Sequence, residues 1–109
     1  MSIETIICDK SDLIENSGVC ALLNDDEQVA IFYLPATEQK VFAIANWDPI
    51  GQANVLSRGI IGDIAGEIVV ASPLYKQHFS LISGQCLEDE SAPVKTYPIA
   101  LKNDKVVIG

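Results

Sequence analysis

Short apolar runs rich in β-branched residues recur along this chain, and they constrain its fold more than any other feature. They return roughly every 8 to 12 residues between turn-forming clusters, and no long stretch keeps the 3.6-residue period of an amphipathic helix. This spacing is typical of a small all-β sandwich or barrel. It predicts one helical turn near residues 9–14 and a turn within residues 60–66. The predicted strands are 3–8, 19–23, 28–33, 40–46, 67–71, 78–82, 85–87, 97–102 and 105–108.

The length and charge of the chain exclude several classes of function. At 109 residues it has the size of one domain, which we expect to span residues 1–109. A net charge of -8 has the wrong sign for binding a nucleic-acid backbone or an anionic membrane surface. The N-terminus lacks the basic start of a signal peptide, and no apolar stretch approaches the roughly 20 residues that span a bilayer. We therefore expect a cytoplasmic protein with no nucleic-acid or membrane partner.

The cysteines and the single histidine do not suffice for a common metal centre. Cys8, Cys20 and Cys86 lie far apart in apolar or half-apolar runs, so we expect free, buried thiols in a reducing compartment. A tetracysteine cluster needs one more thiolate, and a Rieske centre needs a second histidine beside His78. A zinc site of three cysteines and this histidine would have to gather ligands from distant segments. No metal site is predicted.

Two proline-containing loops carry the most informative pattern. Residues 46–50 read NWDPI, and residues 69–84 read VVASPLYKQHFSLISG. This arrangement resembles the Rieske-type ferredoxin pattern, in which a C-P-H loop and a C-P-x-H loop precede a Phe, Leu and Ser/Thr-Gly turn. The resemblance covers nearly the whole chain and implies a Rieske-type [2Fe-2S] ferredoxin-like sandwich or barrel.

The cluster ligands of that pattern are missing. The resemblance places Asp48, Ile50, Ser72 and Tyr75 at the four ligand positions. Ile50 has no lone pair, and the hydroxyls of Ser72 and Tyr75 are poor ligands near neutral pH. The hard oxygen of Asp48 is mismatched to iron–sulfur chemistry. We therefore expect a Rieske fold without a cluster, with no cofactor in this chain and with His78 in a structural or surface role.

A cluster-free Rieske-like chain of this size resembles one family, the small subunits of assimilatory NAD(P)H-dependent nitrite reductases. The resemblance implies a large partner subunit that carries FAD, sirohaem and a [4Fe-4S] cluster and reduces nitrite to ammonium in nitrate assimilation. No single motif is highly specific, but their order and spacing together are. The segments that carry the resemblance are 17–23, 28–32, 46–49, 55–59, 70–74, 86–90 and 94–97.

No catalytic residue is predicted, so the tip formed by the two loops becomes the candidate for binding a partner. Exposed aromatic and aliphatic side chains often mark an interface. Alternatively, Ile50 and Leu74 fill the space that a cluster would occupy. The candidates for partner binding are Trp47, Pro49, Pro73, Leu74 and Tyr75.

The remaining charged groups and the function leave alternatives open. Arg58 could pair with a nearby acid or contact a partner. The acidic runs 25–27 and 88–90 are interpreted as solvated loops, or else as groups that steer a partner. Two other functions are considered: a free-standing β-sandwich binding module, and a Rieske-type electron-transfer ferredoxin.

Overall fold

The computed structural model describes residues 5–23 and 27–109, so residues 3–4 of the first predicted strand and Asp25 and Asp26 of the acidic run lie outside the described residues. The elements are strands joined by turns and two short 3-10 helices, Lys10–Asp12 and Leu56–Arg58. The strands are β1 Thr5–Asp9, β2 Ser17–Leu23, β3 Glu27–Tyr33, β4 Val41–Ala45, β5 Trp47–Asp48, β6 Ala53–Asn54, β7 Ile60–Ile64, β8 Glu67–Ala71, β9 His78–Ser80, β10 Thr96–Tyr97, β11 Ile99–Lys102 and β12 Lys105–Ile108.

The central sheet has the antiparallel order β10-β4-β3-β2. Successive side chains on a strand point to opposite faces. On β3, Ala30 and Phe32 therefore enter one apolar cluster, whereas Val29 and Ile31 enter another. This sheet is covered on both faces, which explains why β3 reads as a continuous apolar run rather than as an alternating one.

A different three-stranded sheet covers each face of the central sheet. On one face, β12 pairs with β1 and β11, and it contributes Val106 and Ile108 to the shared cluster. On the other face, the order is β7-β8-β9, and Val70 of β8 packs with Phe79 of β9. The all-β prediction is confirmed, as are the helical turn and the hairpin formed by β11 and β12.

One strand was missed, and one predicted hairpin is shorter than expected. The turn predicted within residues 60–66 is confirmed at Ala65 and Gly66, but residues 60–64 before it form the edge strand β7, which pairs along its whole length with β8. Residues 78–87 form only the short strand β9 and one bridge from Phe79 to Cys86, rather than a full hairpin.

The three cysteine thiols are free. Cys86 is buried and Cys8 is half-buried, but Cys20 is exposed, so the prediction that Cys20 is buried was wrong.

Candidate functional site

The two proline-containing loops, residues 48–52 and 72–76, have the same backbone construction. In the first, the N–H of Gln52 donates to the carbonyl of Asp48 over 2.7 Å. In the second, the N–H of Lys76 donates to the carbonyl of Ser72 over 3.0 Å. Gln52 and Lys76 both adopt the left-handed backbone conformation, with φ of 56° and 62°. We call these segments the first and the second tip loop.

The side chain that opens each tip loop also plays the same role in both. Oδ1 of Asp48 accepts from the N–H of Ile50 over 2.8 Å, and Oγ of Ser72 accepts from the N–H of Leu74 over 3.3 Å. These are the local side-chain to backbone bonds by which Asp and Ser favour turns. The matching start, Asp-Pro and Ser-Pro, therefore produces matching turns from two different sequences.

The two tip loops are joined through the fully buried Asp48. Oγ of Ser72 donates to Oδ2 of Asp48 over 2.5 Å, and Nε2 of Gln77 lies 2.8 and 2.9 Å from its two carboxyl oxygens. The N–H of Gly51 adds a bond of 2.9 Å to Oδ1. Asp48 thus accepts hydrogen bonds from both tip loops and from the residue that follows the second one.

Gln77 is the member of this cluster that sequence reasoning missed. Its side chain is buried, and Oε1 is one of the buried polar atoms that have no partner in the described part of the chain. Gln77 also accepts at its carbonyl from the N–H of Ser72 over 2.9 Å, which closes the base of the second tip loop. It lies outside the ligand pattern, and no local cue separates it from the solvated glutamines.

Apolar side chains cover the carboxyl group of Asp48. Ile50 is half-buried and packs against the larger core cluster, so the prediction that it fills space is supported by its contacts. Leu74 lies over Gly51, where a Cβ atom would stand 2.4 Å from the Leu74 Cδ1 atom and 3.0 Å from Oδ2 of Asp48. Leu74 therefore helps to cover this carboxyl group, while 44% of its own surface remains exposed.

The outer rim of the tip is apolar and open. Tyr75 is 71% exposed and Trp47 is 46% exposed, while Pro73 is exposed and Pro49 is half-buried. All five candidates for partner binding lie on the two loops or directly beside them, and three are large hydrophobic side chains in contact with solvent. The structure thus separates a polar, closed interior from an apolar exterior at the same end of the molecule.

Asn46 anchors the chain just before the first tip loop. Its Oδ1 accepts from the N–H of Ser57 over 2.7 Å, and its Nδ2 donates to Oε1 of Gln28 over 3.0 Å. Its carbonyl accepts from the N–H of Leu56 over 3.1 Å. These bonds tie the end of β4 to β3 and to the second 3-10 helix, and they orient the segment that leads to Asp48.

His78 and Glu88 hold the far end of the second tip loop. Oε1 of Glu88 accepts from the backbone N–H of His78 over 2.7 Å, and Oε2 lies 2.6 Å from its Nδ1. Partial burial alone would raise the pKa of Glu88, but the hydrogen bonds and charge of His78 outweigh it and lower the pKa. His78 is thus structural, as expected, and Glu88 is engaged rather than merely solvated.

Comparison with known proteins identifies the family. The Rieske-like [2Fe-2S] domain family matches residues 5–109. The nitrite reductase (NADH) small subunit of Escherichia coli K12 is 51% identical over 100 residues, which cover 92% of this chain and 91% of that protein. The chain belongs to the family of nitrite reductase small subunits. The predicted family and its Rieske-type fold are therefore confirmed.

Two further relatives of this small-subunit chain add a structure and a domain arrangement. The solution structure of the nitrite reductase [NAD(P)H] small subunit from Erwinia carotovora is 44% identical, with a TM-score of 0.80, and covers 99% of this chain and 82% of that one. The nitrite reductase [NAD(P)H] large subunit of Klebsiella oxytoca is 38% identical over 103 residues, which cover 94% of this chain and 10% of that protein. A region similar to this small subunit thus occurs within a single large polypeptide.

The residues of this small-subunit chain do not fit the [2Fe-2S] cluster for which the domain family is named. A Rieske centre takes two cysteine and two histidine ligands. Asp48 and Ser72 are bonded to each other, Ile50 packs into the core, and Tyr75 points its bulk into solvent. Within residues 5–23 and 27–109, no group of three or more His, Cys, Asp or Glu could hold a metal ion.

Over the same residues, no helix is long and apolar enough to cross a membrane.

Proposed function

We propose that this chain is a cofactor-free accessory subunit that docks through its tip on the large subunit of an NAD(P)H-dependent nitrite reductase. The observation that carries this proposal is the contrast at the tip between the closed Asp48 interior and the open rim of Trp47, Leu74 and Tyr75. Exposing an apolar rim of this kind to water is unfavourable in free energy unless a partner covers it.

Family relationships support the choice of partner. The proteins that this chain resembles are small subunits of nitrite reductase, and the Klebsiella oxytoca large subunit contains a similar region in the same polypeptide. A domain that is covalently part of the catalytic chain in one organism is expected to sit against it as a separate chain in another. The tip offers the aromatic anchors, Trp47 and Tyr75, that such an interface needs.

The chemistry belongs to the large subunit in this proposal. It would carry FAD, sirohaem and a [4Fe-4S] cluster and reduce nitrite to ammonium in the cytoplasm. In this chain Asp48, Ser72 and Gln77 bond to one another, so they are engaged in holding the tip loops rather than free to act on a substrate. The tip loops then act as a preformed surface, since their conformation is set by internal hydrogen bonds.

Co-expression with the large subunit of the same organism tests the proposal. The tagged chain should retain the large subunit on an affinity column, and omitting the chain should change nitrite-dependent oxidation of NAD(P)H by the purified complex. Anaerobic treatment of the isolated chain with iron and sulfide should leave it without acid-labile sulfide. A chain that neither co-purifies nor affects nitrite reduction would contradict the proposal, and a stably incorporated cluster would favour the electron-transfer alternative.

A further inference from the structure

A basic groove lies beside the tip of this otherwise acidic chain. It encloses about 410 Å³ between the end of the second 3-10 helix, the start of β7 and the second tip loop. Its lining includes three side chains that can carry positive charge, Arg58, Lys76 and His78. The same groove includes Ser72 and Pro73, so it is continuous with the tip.

Arg58 and Lys76 have no acidic partner in the part of the chain that the structure describes. Elsewhere, Lys95 pairs with Glu27 and Lys105 pairs with Asp9. Both groove residues are exposed, and the backbone N–H of Arg58 donates to the carbonyl of Val55 over 2.9 Å within the 3-10 helix. The sequence left open whether Arg58 meets an acid within the chain or a partner, and the structure favours the partner.

The acids nearest to the groove in the fold have other hydrogen-bond partners than Arg58 and Lys76. Asp48 is buried against Ser72 and Gln77, and Glu88 is bonded to His78. Glu67 lies at the opposite end of the β7–β8 hairpin from the groove, four residues from Ala71, a separation of roughly 13 Å along a strand. None of these three acids forms an ion pair with Arg58 or Lys76.

The groove also carries an apolar contact point. Ile60 lines it and is 74% exposed, more than any other large hydrophobic residue among those described. Two cations beside an exposed aliphatic side chain fit a peptide segment that combines carboxylates with an apolar residue. Inorganic anions or sugars would make no use of Ile60.

We infer that this groove receives an acidic segment of the large subunit, with Arg58 and Lys76 facing its carboxylates and Ile60 covering an apolar side chain. The inference rests on the proposed function, since it names the part of the partner that this face contacts. Arg58 presents the fork geometry that pairs with a carboxylate in two hydrogen bonds, and Lys76 presents a point charge. Together they set the orientation in which the tip docks.

The test is a titration of the purified large subunit with the labelled full chain at about 50 mM and about 300 mM NaCl, conditions between which exposed charge pairs are increasingly screened. The charge-reversal variant R58E/K76E should raise the Kd at least about tenfold at low salt, because it sets like charges against each other. The wild-type Kd should rise with salt, whereas that of R58E/K76E should change less. The control K10E/K40E makes the same change in net charge at exposed lysines outside the groove and should stay within about twofold.

Carbodiimide cross-linking then identifies the partner group. The amine of Lys76 should become linked to an Asp or Glu of the large subunit, and K76R should lose that link while keeping the affinity. Far-UV circular dichroism checks the fold, and R58Q/K76Q replaces the reversal variant if the latter does not fold. A wild-type chain that does not bind overturns the proposed function together with this inference. If the groove variants bind as tightly as wild type, the groove inference is overturned and the proposed function stands.

Discussion

The first tip loop, residues 48–52, and the second, residues 72–76, share one turn design but face different surroundings. The first opens with the fully buried Asp48, and its Pro49 and Ile50 are half-buried. The second opens with the buried Ser72, but its next four residues are exposed. Backbone hydrogen bonding is matched between the loops, so the difference arises from what each side chain contacts.

We infer from this difference that the two tip loops have different roles. The first supplies the carboxyl group that joins them, and it is therefore expected to determine stability. The second presents Leu74, Tyr75 and Lys76 to the exterior, and it is therefore expected to determine binding. In this chain, hydrogen bonds to Asp48 thus hold the two tip loops together without any metal ligand.

Loss of Asp48 should have the largest effect. Asp48→Ala removes the acceptor for four donors, the N–H groups of Ile50 and Gly51, the hydroxyl of Ser72 and the amide of Gln77. Because buried donors without partners are costly, we expect a loss of about 3 kcal/mol in the free energy of unfolding, or a fall in Tm of roughly 15 °C. Urea denaturation of the isolated chain measures it.

Ser72→Ala is the matched control in the other loop. It removes one donor to Asp48 and one acceptor for the N–H of Leu74, so about 1 kcal/mol should be lost. Asp48→Asn keeps an acceptor oxygen and should fall between the two. A loss from Ser72→Ala as large as that from Asp48→Ala would show that the loops contribute equally, contrary to the assignment above.

The rim should affect binding rather than folding. The double variant W47A/Y75A removes two exposed aromatic anchors, and we expect the Kd for the large subunit to rise about 30-fold, equivalent to about 2 kcal/mol. The Tm of the isolated chain should change by less than about 4 °C, as for other surface substitutions. Isothermal titration with the large subunit and thermal melts provide the two measurements.

The control for this variant is I6A/I14A, which truncates two exposed hydrophobic residues away from the tip loops. It should leave the Kd unchanged. If W47A/Y75A instead lowers the Tm strongly and leaves binding intact, these aromatic residues are part of the folded core of the tip and not of an interface.

Much of the fold could be predicted because the period of two and the turn residues are local signals. Strand β7 was not predicted because Gly62 interrupts its pattern and because it is an edge strand with four of its five residues exposed. In the site, the resemblance located Asp48 and Ser72, but the hydrogen bond between them was not predicted. The contact of Asp48 with Gln77 joins residues 29 positions apart, and no local pattern encodes a contact over that separation.

A smaller effect should follow from adding a methyl group under Leu74. Gly51→Ala places its Cβ atom 2.4 Å from Cδ1 of Leu74 and 3.0 Å from Oδ2 of Asp48, so Leu74 must move outward. Overpacking of this kind costs about 1.5 kcal/mol. Gly62→Ala is the control, because its Cβ atom would meet no atom within 4 Å. Equal stability of the two variants in urea would show that Leu74 is too mobile to cover the buried carboxyl group.

The smallest effect concerns the hydrogen bonds between Glu88 and His78, just after the second tip loop. Glu88→Gln should cost about 0.5 kcal/mol near neutral pH, because half of the Glu88 side chain is exposed and solvent screens its charge. The folded pKa of Glu88 is lowered, so its stabilisation is complete above the ordinary value of 4.5 and is lost as the pH falls further. Wild type and Glu88→Gln should therefore differ in urea at about pH 7 and converge near pH 3. The control Glu90→Gln removes the same charge two residues away and should match the stability of wild type at both pH values. If the difference between wild type and Glu88→Gln persists at low pH, the charge of Glu88 does not hold this loop.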